Sequence, residues 1–236
     1  MTMRKLLTRH LTPEDVPALL ALEQSKWEPH QAADRGSLLQ RIRTYPTLCI
    51  GAFCPHSGAA LASLFLRPID PAVFTAPTQW QDSANMAAPF SDATRHRSLF
   101  GISLSSNDAN AVAEIFRFFY PRALKAGWKD IYLGSPIPGF RKARTLSPEL
   151  SVWQYAHAKR KFHGKEPLDP QLRYYFRKGF RQIVSIQKNY FPHEESLDYG
   201  VILRGIIPLS QPRRLWRITP LFVLESFAAM MFGLAR

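Results

Sequence analysis

Acidic residues are scarce in this chain: 18 Asp and Glu stand against 31 Lys and Arg, a net charge of +13. Such a balance calls for an anionic partner. Nucleic acid, an anionic membrane, a nucleotide-bearing cofactor and an acidic carrier protein all satisfy it. Cysteine is scarcer still. Cys49 and Cys54, the two present, share one short apolar segment with His56 as the one such residue close by. That pattern supports neither a disulfide framework nor a zinc site, and leaves buried free thiols in a reducing compartment. Internal repeats and low-complexity tracts are absent. No uninterrupted apolar run reaches membrane-spanning length; residues 218–235 come nearest, and Pro220, Glu225 and Gly233 break them. Residues 1–9 lack the apolar core of a signal peptide, so a cytoplasmic location is expected, with the inner face of the membrane open to a peripheral form.

What is present is globular. Apolar residues make up 46% and charged residues 21% of the composition, and 236 residues suffice for one substantial core. Residues 3–11 alternate as a first strand. Thr12, Pro13, Glu14 and Asp15 then give a helix start, with a capping hydroxyl, a proline suited to the first turn and two acids at the positive end of the dipole. A second helix is expected over 37–45, then strands over 47–54 and 59–66 joined by Pro55-His56-Ser57-Gly58. Residues 68–97 form an insertion longer than a routine connection, which suggests a lid over a substrate. A strand over 98–105 follows, and then the clearest helix, 109–126, with Val112, Ile115, Phe116, Phe119 and Leu124 on one face and Gly127 as its stop. Strands are expected over 130–135, 181–190 and 199–206, with a helix from Pro170 to Lys178 between the first two. The order predicts an α/β domain: a mixed central sheet with helices on both faces.

Tyr175-Phe176-Arg177-Lys178-Gly179-Phe180 resembles the Tyr-x-x-x-Gly-Phe sequence that ends the fourth helix of many GNAT acyltransferases. Asp169-Pro170-Gln171-Leu172-Arg173, Asn189-Tyr190-Phe191-Pro192, Tyr199-Gly200 and Ser135-Pro136-Ile137-Pro138-Gly139-Phe140 narrow the likeness. They resemble a GNAT branch found beside nitrilase-like hydrolases and as loading domains of polyketide synthases. The likeness runs over about residues 3–206, so the expected organisation is a GNAT-like domain over 1–208, its central sheet mostly antiparallel, and an apolar tail over 209–236. It implies acyl transfer from a pantetheine thioester, carried by coenzyme A or an acyl carrier protein, to a small amine or hydroxyl acceptor. It further implies that Tyr175 protonates the leaving thiolate and that backbone N–H groups around Ile102, Ser103 and Leu104 hold the oxyanion. The alternative for Tyr175 is a half-buried helix residue packed on the sheet. His96, before the fourth strand, is the candidate base, against a surface histidine in the cluster Arg95-His96-Arg97. His157 and His163 are expected in solvent. No residue set has metal-ligand spacing.

Two departures from the family pattern stand out. GNAT enzymes hold the donor's pyrophosphate on an Arg/Gln-x-x-Gly-x-Gly/Ala loop at the start of the long helix, where free N–H groups and the dipole attract phosphate. Here Ser105, Ser106, Asn107, Asn110, Ala111 and Ala113 occupy the corresponding region, with Asp108 among them and no Arg or Gly. The free N–H groups are expected to serve a reduced phosphate site. The related loading domains decarboxylate malonyl thioesters with a His and a Thr. The matching positions are Tyr175 and, four residues after Trp80, Ala84, with Ser83 beside it; decarboxylation would need a rearranged site.

Eleven Lys and Arg but three Asp and Glu lie between Arg141 and Arg181. Arg141, Lys142, Arg144, Lys159, Arg160 and Lys161 suit the acidic helix of an acyl carrier protein, whose pantetheine arm brings one phosphate instead of the adenosine diphosphate of coenzyme A. A missing glycine loop and a high positive charge then become one observation. A solvated surface is the plainer reading. Nucleic acid is third: Trp153, Tyr155 and Phe162 interleave the cations, but no recognised module is present. The tail carries Arg213, Arg214 and Arg217 ahead of a run of apolar residues. It fits packing on the domain, a homodimer contact or an anionic membrane via residues 213–236. A carrier-binding or scaffold domain without catalysis is the non-enzymatic alternative.

Overall fold

The computed structural model describes residues 6–27, 32–86, 97–161 and 164–234, with side chains through Met230. The strands are β1 (Leu7–His10), β2 (Cys49–Phe53), β3 (Ala60–Pro68), β4 (Ser98–Ser106), β5 (Asp130–Ser135), β6 (Phe180–Gln187) and β7 (Gly200–Ile206). They form one seven-stranded sheet in the order β1-β2-β3-β4-β5-β7-β6. β1/β2, β2/β3, β5/β7 and β6/β7 are antiparallel, while β4 and β5 run parallel over Ser98–Phe100 and Asp130–Tyr132. The insertion of β7 between β5 and β6 is the one order that sequence position does not suggest.

The chain divides into two compact units: 1–67, 101–129 and 207–236 make the first, and 68–100 with 130–206 the second. β4 contributes its first three residues to the second unit and its remainder to the first.

In the first unit, α1 (Val16–Gln24) and α2 (Arg35–Thr44) bury Val16, Leu19, Leu22, Leu38 and Ile42. Thr12 and Pro13 do initiate a helix, but as a 3-10 turn, Pro13–Asp15, whose Asp15 carboxylate accepts from the Thr12 N–H at 2.8 Å. α2 starts earlier than expected because Asp34 caps it, accepting from the Ser37 N–H at 2.7 Å. The long helix α4 (Ala109–Ala126) has the expected ends, and Gly127 closes it at φ +84°, a left-handed conformation that favours glycine. Cys49 is buried, which pushes its thiol up to about 12; Cys54 is only half-buried.

In the second unit, residues 68–86 of the long insertion pack onto the unit's core. The 3-10 turn Pro71–Thr75 buries Phe74 against Phe100 and Tyr132, with ring centroids 6.1 and 5.5 Å away. The Gln187 side-chain amide donates to the Phe74 and Ala76 carbonyls, and the Trp80 N–H at the start of α3 (Trp80–Ala84) donates to the Tyr190 carbonyl at 2.8 Å. Residues 87–96 of the insertion lie outside the described residues. Two short helices that the sequence did not announce, α5 (Phe140–Leu146) and α6 (Val152–His157), pack with α7 (Pro170–Arg177) around Ile137, Phe140, Tyr155, Leu172, Val201 and Leu203.

Tyr190 explains two glycines at once, Gly134 and the Gly200 of the Tyr199-Gly200 motif. A Cβ built at Gly134 would lie 2.2 Å from its ring, and one at Gly200 2.3 Å. The backbone must come that close for the ring to be wholly buried. Gly134→Ala or Gly200→Ala is expected to destabilise the chain by about 1–3 kcal/mol through overpacking. Thermal unfolding checks this, and an unchanged midpoint would mean that the ring has room to move.

Candidate functional site

The start of α4 is the decisive place. Asp108 is its N-cap: the carboxylate Oδ1 accepts from the Asn110 N–H at 2.7 Å and from the Ala111 N–H at 3.2 Å. The Asp108 N–H itself donates to Ser106 Oγ at 3.0 Å, and the Asn107 N–H donates to the Leu61 carbonyl at 2.9 Å. These are the groups a phosphate would use, and all four are engaged: the Asp108 carboxylate holds two, and the Ser106 hydroxyl and the Leu61 carbonyl hold one each. The expectation of free N–H groups here is therefore corrected. Ala111 is buried in the core, Ala113 and Asn110 are exposed, and the Asn107 side-chain amide donates to Ser25 Oγ at 3.2 Å.

Ser105 is not at a ligand surface either. It is buried, donates to the Glu23 carboxylate and accepts from Trp27 Nε1 at 2.8 Å. Arg41 lies buried close by, with its guanidinium 5.5 Å from the Phe65 ring centroid and one nitrogen 3.5 Å from Ser103 Oγ. Burial lowers the Arg41 pKa, and Glu23 opposes that shift. The buried charges of Glu23 and Arg41, each tied to a β4 serine, were missed from the sequence, although a signal is there. Val16, Leu19 and Glu23 stand at helical spacing on one stripe, so an acid on an apolar face announces a buried charge in need of a partner. Ile102 is buried on β4, while Ser103 and Leu104 are half-buried.

In the second unit, Tyr175 sits on α7, half-buried and edge-on to Tyr174 and Phe180, with centroids at 5.3 and 6.0 Å. Burial raises its pKa above the ordinary phenol value, and a hydrogen bond to the Gln171 side chain partly offsets that. The adjacent Tyr174 is exposed, so the helix phase distinguishes the two. His96 lies outside the described residues, as does His163. His157 is half-buried, stacked on Trp153 at 4.3 Å, in place of the solvent position expected for it. Both line a cleft of about 400 Å³ with Val152 and residues 183–186.

The basic segment is less uniform than its composition. Arg141 pairs with Glu194, and Arg160 with Glu166 at 3.6 Å. Lys142, Arg144, Lys159 and Lys161 are exposed. Tyr155 is not a surface aromatic among cations; it is buried, and its hydroxyl donates to Asp169 Oδ2 at 2.9 Å. That removes one stacking platform from the nucleic-acid reading. Among the described residues, no group of His, Cys, Asp and Glu is placed to hold a metal, and no helix is long and apolar enough to cross a membrane.

No family model and no curated protein sequence matches the chain. Solved structures do. GphF, a GNAT-like decarboxylase in complex with isobutyryl-CoA, superposes with a TM-score of 0.63 at 24% identity, over 85% of this chain and 99% of that one. The loading GNATL domain of CurA from Lyngbya majuscula gives 0.67 at 17% identity, over 86% and 98%. Malonyl-CoA decarboxylase from Rhodopseudomonas palustris gives 0.53 at 14% identity, over 88% of this chain and 61% of that one. Likeness at such identities speaks to architecture, and the architecture is plain: this chain has the GNAT fold.

Proposed function

We propose that the chain transfers an acyl group from a pantetheine thioester on an acyl carrier protein to a small amine or hydroxyl acceptor. One observation carries the choice of donor: Asp108 holds the Asn110 and Ala111 N–H groups. A diphosphate arriving there meets a fixed negative charge and occupied donors. A carrier-borne pantetheine brings no diphosphate, so it does not meet that obstacle, and the exposed Lys142, Arg144, Lys159 and Lys161 suit an acidic carrier.

In this reading Tyr175 serves the leaving sulfur of the thioester. Thiols have a pKa of about 8.5, below that of an ordinary phenol. A phenol raised further by burial gives up its proton uphill, so Tyr175 acts chiefly as a hydrogen-bond donor to the developing thiolate. The sign for pH follows. The raised pKa keeps the phenol protonated throughout the neutral range, and activity that needs its proton is lost only as pH rises through that raised value.

The test is thiol release from an acyl-carrier thioester in the presence of candidate amines, with acyl-coenzyme A alongside. Tyr175→Phe keeps the packing and removes the hydroxyl, and is expected to lower turnover about 100-fold. Release from the carrier thioester alone supports the proposal. Carbon dioxide without acyl transfer would instead support the decarboxylase reading suggested by the names of GphF and the Rhodopseudomonas protein. Tight carrier binding with no turnover by either form would make the chain a binding domain.

A further inference from the structure

The C-terminal residues form two helices in the first unit, α8 (Arg213–Ile218) and α9 (Leu221–Leu234). One side of α9 is spoken for. Leu224 and Ala228 are buried, Glu225 pairs with Arg122 of α4 at 2.8 Å, and Lys125 of α4 donates to the Arg217 and Thr219 carbonyls at 2.8 Å each. These contacts fix which face of the hairpin turns outward.

That outward face is apolar and basic. Phe222 is 68% exposed, Met230 57% and Ile218 79%, with Leu215 and Val223 beside them. Phe222, Ser226, Ala229 and Met230 follow helical spacing, and the Ser226 hydroxyl is turned back to the Phe222 carbonyl at 3.0 Å. The stripe therefore offers little that needs water. Arg214 and Arg217 are exposed on the neighbouring helix. Glu225 is the one acid in residues 209–236, and Arg122 already holds it.

We propose that this hairpin is a membrane-surface anchor for anionic lipid, with the apolar stripe entering the headgroup boundary and Arg214 and Arg217 meeting lipid phosphates. A second copy fits the face less well. An isologous contact would set Arg214 and Arg217 near the same residues of the partner, with no acid left to balance them. The inference stands apart from the acyl-transfer reading, since it uses none of the residues assigned to that chemistry. Were both to hold, the enzyme would work beside a bilayer, where a greasy acyl group or acceptor is at hand.

The full chain is sedimented with vesicles of phosphatidylglycerol and phosphatidylcholine, and with phosphatidylcholine alone. Binding is expected with the anionic vesicles and is expected to weaken as salt rises. Ile218→Ser with Phe222→Ser should reduce bound protein about tenfold, as should Arg214→Gln with Arg217→Gln. All four residues are exposed, and circular dichroism verifies that the variants fold. Equal, weak binding to both vesicles overturns the proposal. So does anionic binding that neither double variant reduces, because the charge of the second unit would then be its source. A dimer in analytical ultracentrifugation that Ile218→Ser with Phe222→Ser dissociates would assign the face to a second copy.

Discussion

Asp169→Ala is expected to lower stability by about 3–5 kcal/mol, a large share of the 5–15 kcal/mol that holds a domain together. Its carboxylate is buried and accepts four hydrogen bonds. Oδ1 takes the Gln171 and Leu172 N–H groups at 2.9 and 3.1 Å and so caps α7; Oδ2 takes the Tyr155 hydroxyl at 2.9 Å and the Gly139 N–H at 3.2 Å. Losing the cap costs about 1 kcal/mol. Leaving the buried Tyr155 hydroxyl unpaired adds about 1–3 kcal/mol, and losing the bond from the half-buried Gly139 N–H adds about 1 kcal/mol. Tyr155→Phe, which removes a single bond, should cost only about 1 kcal/mol. Urea unfolding of both single variants and of the double variant checks this. The double variant should fall short of the sum, since both changes remove the same bond. An Asp169→Ala loss below about 1 kcal/mol would mean that water replaces the carboxylate. The same clasp sets the start of the helix that carries Tyr175, so the alanine variant should also lose turnover under conditions where it remains folded.

The clasp shows where sequence reading succeeds and where it stops. Asp169-Pro170 is legible as a helix start because capping depends on neighbours in sequence, and the helix begins there. That the second oxygen reaches back to Gly139 and Tyr155 depends on tertiary contact, which spacing does not encode. Hence Gly139, Tyr190 and Gly200 look like signature residues in the sequence and prove to be packing residues in the structure. β5 and α4 were legible from end to end for the same local reason: an apolar period of one kind, bounded by Gly127 and Asp130. The short helices α5 and α6 were not. Each is under two turns long, too short to establish a period, and the Pro and Lys residues around them read as loop. The hydrophobic tail was legible as apolar, but its division into a held face and an outward face rests on Arg122 and Lys125, which lie far earlier in the chain.

Asp108 was visible as an acid in an unsuitable place; that it fills the place was not. The difference has a large consequence. A sequence that merely lacks glycines offers phosphate a poorer cradle, whereas one that caps its own helix with a carboxylate makes phosphate compete with a tethered anion at zero distance. Asp108→Asn keeps a good N-cap and cancels the charge. Asp108→Gly cancels the charge and also frees the Asn110 and Ala111 N–H groups, at only a few tenths of a kcal/mol in helix stability. Coenzyme A thioester affinity is expected to rise about tenfold with asparagine and about 100-fold with glycine, equivalent to roughly 1.4 and 2.8 kcal/mol. The carrier thioester, with no diphosphate to place, should be used equally by all three forms. Calorimetric titration with coenzyme A, and turnover with both donors, separate the outcomes. Tight coenzyme A binding by the unaltered chain, or no gain in either variant, would place the diphosphate elsewhere and remove the basis for preferring a carrier. A gain that appears with glycine and not with asparagine would assign the block to the occupied N–H groups, and one equal in both would assign it to charge.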